Sequence, residues 1–213
     1  MAGLIVTVAQ QKGGSGKTTL AAHIAVALAL EAARGPVAIL DVDAQGSLGE
    51  WFERRESTLG EDGTSLAFRT SSGWGARREA RQLARDHAFV VIDTPPKSDV
   101  DARPAVDAAD LVVVPVQPSP VDVWATRTVL ELAVRERRPA ILVFNRVPAR
   151  AALTGEVEKA VGELGARLAG SRLGNRTSFA AAMGRGLTAA EAEPGGKAAA
   201  EIEALVAELF RRR

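Results

Sequence analysis

The 213-residue chain, 46% hydrophobic and 25% charged, is long enough for one α/β domain with a sizeable core and has an ordinary globular composition. It contains no cysteine, which excludes disulfides, thiolate metal sites and cysteine-held iron–sulfur clusters. A net charge of +1 excludes a bulk attraction for polyanions, so any nucleic-acid contact must come from how the charges are distributed.

Taken in chain order, Leu4–Ala9 is the first of five short apolar runs rich in Val and Ile; the others are Val37–Leu40, Phe89–Ile92, Leu111–Val116 and Ala140–Phe144. None shows polar alternation, so each is expected as a strand buried on both faces of a parallel sheet. Helical patterns fall between them at about Thr18–Ala33, Gly75–Asp86, Val121–Arg137 and Leu153–Leu164, and Leu66–Arg69 offers a further edge strand. A last helix, about Gly196–Arg212, puts Ile202, Leu205, Val206, Leu209 and Phe210 on one face. This alternation predicts an α/β fold: a doubly wound, mostly parallel sheet with helices on both faces, residues 1–213 forming a single domain. The apolar runs are too short for a signal peptide or a membrane span, so the protein is expected to be cytoplasmic.

Gln10-Gln11-Lys12-Gly13-Gly14-Ser15-Gly16-Lys17-Thr18-Thr19 follows the first strand and opens the first helix. That context is what a phosphate loop requires. Gly13, Gly14 and Gly16 let the backbone curl so that amides, Ser15 among them, point at phosphate oxygens, and the helix dipole adds to the field. Lys17 is expected at the β- and γ-phosphates and the Thr18 hydroxyl on magnesium, making ATP and Mg2+ the expected cofactors. Gln11 stands where the common motif has glycine, and a second lysine, Lys12, opens the loop. The chain has five lysines against 22 arginines, so two within one loop are not basic filler. Lys12 cannot readily reach the phosphates that Lys17 occupies, which points it at a neighbouring subunit's nucleotide.

Asp41-Val42-Asp43-Ala44-Gln45 ends the second strand, where carboxylates of a parallel sheet face the ligand crevice; simple capping of the next helix by the two aspartates is the lesser alternative. Phe89–Ile92 ends in Asp93-Thr94-Pro95-Pro96, and an apolar strand ending in aspartate fits a carboxylate that holds a magnesium-bound water. Asp110–Pro120 is a strand followed by a proline-spaced loop, which also reads as a plain rigid connection to the next helix. From Leu164 to Ala190 the chain has Arg167, Arg172, Arg176 and Arg185 and no acidic residue, either a phosphate-binding stripe or a solvated face.

K-G-G-x-G-K-T-T with its leading lysine resembles the deviant Walker A motif of the ParA/MinD family, and the likeness runs from Leu4 through the last helix. It is nearest in kind to the small ParF-type partition ATPases, which carry a similar proline-rich segment. The resemblance implies an ATPase with slow intrinsic turnover that dimerises on binding ATP, Lys12 reaching across the dimer. It implies that Asp43 orients the attacking water and that Asp41 supports magnesium through its water shell. Asn145, after the fifth apolar run, stands where relatives contact adenine. Ala44 replaces the family's usual proline.

Iron–sulfur relatives need cysteines and are excluded. MinD-type membrane binding uses a helix appended after the fold, whereas the last helix here reads as a packing helix, so no stable membrane association is expected, although the three closing arginines leave a membrane surface as a lesser alternative. The resemblance further implies binding of nonspecific DNA, with Arg172, Arg176, Arg185 and Lys197 as candidate contacts and a nucleoid location when ATP is bound. A ParB-like or adaptor protein would stimulate hydrolysis and release, and the cargo is a plasmid, a chromosome or a protein assembly. A metabolic P-loop enzyme that activates a small carboxylate with ATP is the alternative.

Overall fold

The computed structural model describes residues 2–96, 99–149 and 154–211. Strands β1 (Leu4–Val8), β2 (Val37–Asp41), β3 (Ala67–Thr70), β4 (Phe89–Asp93), β5 (Leu111–Val116), β6 (Ala140–Phe144) and β7 (Arg167–Leu168) form one sheet in the order β3-β2-β4-β1-β5-β6-β7. Every pairing is parallel. The helices are α1 (Lys17–Leu30), α2 (Ser47–Leu59), α3 (Ala76–Asp86), α4 (Asp99–Ala108), α5 (Pro120–Arg135), α6 (Thr154–Gly162), α7 (Thr177–Met183), α8 (Ala189–Ala192) and α9 (Lys197–Leu209).

The period-2 alternation of strand side chains divides the core in two. Val6, Val8, Val37, Ile39, Val91, Val113, Ile141 and Val143 point to the face covered by α1, α2, α7, α8 and α9. Ile5, Ala38, Leu40, Val90 and Ile92 meet α3 and α4 on the other face, where Val112, Val114, Leu142 and Phe144 meet α5 and α6. Apolar side chains in both directions explain why the strands read as unbroken apolar runs.

Helix α1 is buried almost all round, from Leu20 to Leu28, because it lies between the sheet and α9. It ends at Leu30 rather than Ala33: Glu31 leaves helical geometry and a 3-10 turn at Ala32–Arg34 runs into Gly35, whose φ of 90° is left-handed. In α9, Ile202, Leu205 and Val206 are buried in the same core, joined by Phe210 just after the helix, so this is a packing helix of the fold. The expected edge strand is β3. Helix α2 enters the sequence expectations only as the unbounded helix that Asp41 and Asp43 could cap, and α4, α7, α8 and the short strand β7 have no counterpart there. Pro104 inside α4 hides that helix from a propensity reading. Of the expected helix limits, Leu153 and Arg212 lie outside the described residues, as does Arg213.

Candidate functional site

The register of the central strands aligns Val8, Asp41 and Asp93 across β1, β4 and β2 at their carboxyl ends. Helix α1 leaves β1 toward one face and α4 leaves β4 toward the other, which opens a crevice between adjacent strands, the usual ligand position in such sheets. Residues 10–16 fill this crevice. Gly14 and Gly16 have φ of 73° and 91°, values that a side chain opposes. At Gly16 a Cβ would also meet Asn145 Nδ2 at 2.4 Å.

Three neighbouring segments brace the loop. Gln10 donates from Nε2 to the Pro115 carbonyl at 3.2 Å and accepts from the Gln11 amide at 2.9 Å through Oε1. Asn145, after β6, donates to the Ser15 carbonyl at 2.8 Å, while its Oδ1 accepts from the Arg146 amide at 2.9 Å. Gln117, in the proline-spaced segment after β5, donates to the Gly14 carbonyl at 2.9 Å. The segment is also the rigid connection to the next helix, since Pro120 is the first residue of α5 under the Ser119 cap. Thr94 donates to the Val8 carbonyl at 2.9 Å and ties the end of β4 to the foot of the loop.

Lys17 is 6% exposed, and burial lowers its pKa against the pull of Asp93 and Asp43. Asp93 is wholly buried; desolvation pushes its pKa up to about 7, with Asp41 and Asp43 adding to the rise and Thr18 and Lys17 opposing it. Among the described residues neither Asp93 oxygen has a hydrogen-bond partner, nor has Ser15 Oγ. Two orphaned carboxylate oxygens beside a lysine and the Thr18 hydroxyl fit a hydrated magnesium ion held against phosphate. Among the described residues no three His, Cys, Asp or Glu side chains gather to hold a metal, so such an ion would take most ligands from phosphate and water.

Asp41 does what the capping reading expects. Its Oδ2 accepts from the Gly49 amide in the first turn of α2 at 3.2 Å, and its Oδ1 accepts from the Asp43 amide at 2.9 Å. Burial raises its pKa despite these bonds. Asp43 is only half buried; its Oδ1 accepts from the Gln45 amide at 3.0 Å, and among the described residues Oδ2 accepts none. It therefore presents a free carboxylate oxygen at the rim.

Lys12 does not enter its own loop. Its Nζ lies 2.6 Å from Asp122 Oδ2, in the first turn of α5, and the Ser119 hydroxyl donates to the same oxygen. Asp122 is almost fully buried and its Oδ1 has no partner among the described residues.

Two cavities flank the loop. An open cleft of about 660 Å³ is lined by Gly13, Lys17, Thr18, Thr19, Asp43 and Pro96, among others. A smaller, more apolar cavity of about 230 Å³ begins at Gly16 and Thr19 and continues between Leu20, Leu173, Phe179 and Ile202. Arg146 borders both. The smaller cavity draws on residues 173–180, which no local motif announces.

The acid-free arginine stretch acquires carboxylates from elsewhere in the chain. Arg176 grips Glu201 through Nε at 3.0 Å, and Arg172 pairs with Glu158. Arg185 and Lys197 are exposed and make no ion pair among the described residues. Among those residues no helix is long and apolar enough to cross a membrane.

Residues 4–141 match the family model described as ATPase MipZ. The chain is 28% identical over 202 residues to the maintenance of carboxysome distribution protein A of Halothiobacillus neapolitanus, covering 92% of this chain and 91% of the relative. Among solved structures, the Pyrococcus furiosus cell division ATPase MinD superposes with a TM-score of 0.82 at 19% identity, over 97% of this chain and 98% of the other. An ATP complex of a McdA variant from Cyanothece superposes at 0.79 and 15% identity, over 97% and 96%.

Proposed function

Because the chain belongs to the MipZ family of ATPases, within the ParA/MinD group, we propose that it is an ATP-switched dimer that positions a cargo inside the cell. The observation that carries this reading is the division of labour between two lysines of one loop. Lys17 lies buried against Asp93 and serves the chain's own nucleotide. Lys12 points away from the loop to Asp122 and is a third exposed, so it remains at hand for a second subunit.

In this reading the loop amides of residues 13–19 and Lys17 bind the β- and γ-phosphates of ATP. Thr18 and Asp93 would hold magnesium, and Asp41 fixes the turn that presents Asp43. Bound Mg2+ supplies charge neutralisation on the phosphates. Asp43 Oδ2 orients the water for in-line attack. The apolar cavity between Leu20 and Ile202 takes the base. The ATP complex of a Cyanothece McdA variant supports this nucleotide. The dimer binds nonspecific DNA, and a ParB-like or adaptor protein triggers hydrolysis and release. The carboxysome-distribution relative supports a protein assembly as cargo, alongside a plasmid or chromosome.

Analytical ultracentrifugation with a slowly hydrolysed ATP analogue tests the reading. Wild-type protein should pass from monomer to dimer, whereas Lys12→Ala should bind the analogue and stay monomeric. A wild-type monomer in saturating analogue, or partner-free turnover above about 10 per second, would place the chain among metabolic P-loop enzymes instead.

A further inference from the structure

Helix α3 buries Ala76, Ala80, Leu83 and Ala84 and turns Arg77, Arg78, Arg81 and Arg85 outward. Arg77 is held by Asp107 at 2.9 Å. Among the described residues Arg78, Arg81 and Arg85 make no ion pair or hydrogen bond. Their three-then-four spacing puts them in one stripe. Trp74, four residues before Arg78 in the 3-10 turn Gly73–Gly75, stands 87% exposed at the head of the stripe. With Gln82 these side chains border a shallow groove of about 510 Å³. Glu79 is half buried, and Asp86 lies beyond the stripe at the helix end.

Helix electrostatics do not account for this array. Arg77 and Arg78 sit in the first turn, where the dipole disfavours cations, and the pairs 77/81 and 81/85 are like charges at i,i+4. An external anion is what the array complements. From Arg78 to Arg85 the stripe runs about 10 Å along the helix, the rise of roughly three phosphates of one DNA strand. Guanidinium forks suit phosphate oxygens, and an exposed indole adds a face that packs on sugar or base without reading sequence. A lipid surface fits less well. The apolar side of α3 is already buried against β2 and β4, leaving only Trp74 to insert.

We propose that the Trp74–Arg78–Arg81–Arg85 stripe of α3 is the surface that grips the phosphate backbone of DNA. This rests on the DNA-binding reading above and relocates the contact from residues 164–190, where Arg172 and Arg176 are already engaged by glutamates. In the dimer each subunit would present one such stripe.

The test is fluorescence anisotropy of a random-sequence duplex, titrated with the ATP-analogue-bound protein across a salt series. Reversal of the stripe (R78E/R81E/R85E) should weaken binding on the order of 10-fold or more and flatten the slope of log affinity against log salt by about two to three for each stripe that engages the duplex. The neutral set R78Q/R81Q/R85Q should do the same to a lesser degree and covers the case in which the reversal fails to fold. R185E/K197E should change binding far less, and analogue-driven dimerisation should survive in all three. Undiminished binding by both stripe variants would overturn the inference while leaving the DNA reading intact. A wild-type protein without DNA affinity at low salt would sink both. Stripe-dependent binding to phosphatidylglycerol vesicles, with none to DNA, would replace DNA by a membrane.

Discussion

Lys12 and Lys17 belong to one loop yet end in opposite surroundings, and the difference follows from what each carboxylate partner can exchange. Asp93 is fully buried beside Lys17, which is itself almost wholly shielded from solvent, so that lysine has little freedom to leave. Lys12 is a third exposed, and the Ser119 hydroxyl remains on Asp122 when the lysine departs. His23 shows the same logic without chemistry. It is buried in α1, with Nδ1 2.7 Å from the Thr19 carbonyl and Nε2 3.0 Å from the Ala189 amide. Nδ1 therefore donates, Nε2 accepts, and the ring is neutral. Burial lowers its pKa from 6.5 to about 4. As pH falls through 6.5 the unfolded chain takes up the proton and the folded one does not, so stability declines until the folded pKa is passed. About 3 kcal/mol should be lost across that window. Urea midpoints measured from pH 7 to pH 4 should fall more steeply for wild type than for His23→Gln; parallel profiles would contradict the assignment.

At the scale of elements, the unit β1–loop–α1 is held by side chains from β5 and β6 as much as by its own glycines. Asn145 is the clearest case. Both ends of its amide are committed to backbone, one to the Ser15 carbonyl and one to the Arg146 amide, which makes it a brace for the loop before any contact with a base. Asn145→Ala should therefore weaken ATP and GTP alike, by about 1–2 kcal/mol each as the buried Ser15 carbonyl loses its donor. Calorimetry with both nucleotides decides: selective loss of ATP affinity would return Asn145 to adenine recognition. The phosphate loop, the buried strands and α9 were legible in the sequence because their signals are local. The brace was not, since Asn145 lies 130 residues from Ser15. Nor was the intrachain partner of Lys12, 110 residues away. The stretch 164–190 looked free of acid because Glu158 and Glu201 reach it only through the fold. The limits of helix α2 escaped notice because Arg55, a charged residue, is one of its most buried side chains, paired with Glu191 at 2.6 Å.

For the whole molecule, the proposed switch turns on how long the ATP state lasts, and Asp43 is the residue proposed to set that interval. Asp41 and Asp93 are locked in the interior, one by backbone amides and the other by burial. Asp43 alone of the three stands half exposed at the cleft with an oxygen unengaged, so its loss should remove water activation without disturbing the loop. Asp43→Ala should bind ATP with near wild-type affinity, since neither Lys17 nor Thr18 depends on it for a hydrogen bond. Hydrolysis should slow on the order of 100-fold or more, the usual scale for losing a positioned base. A switch that cannot hydrolyse stays in its nucleotide-bound form, so the variant should accumulate as a dimer in ATP itself, where wild type does so only with an analogue. Ultracentrifugation beside single-turnover hydrolysis tests both halves. Slow hydrolysis with a monomeric variant would separate dimerisation from the ATP state, and unchanged hydrolysis would move the water-positioning role away from Asp43.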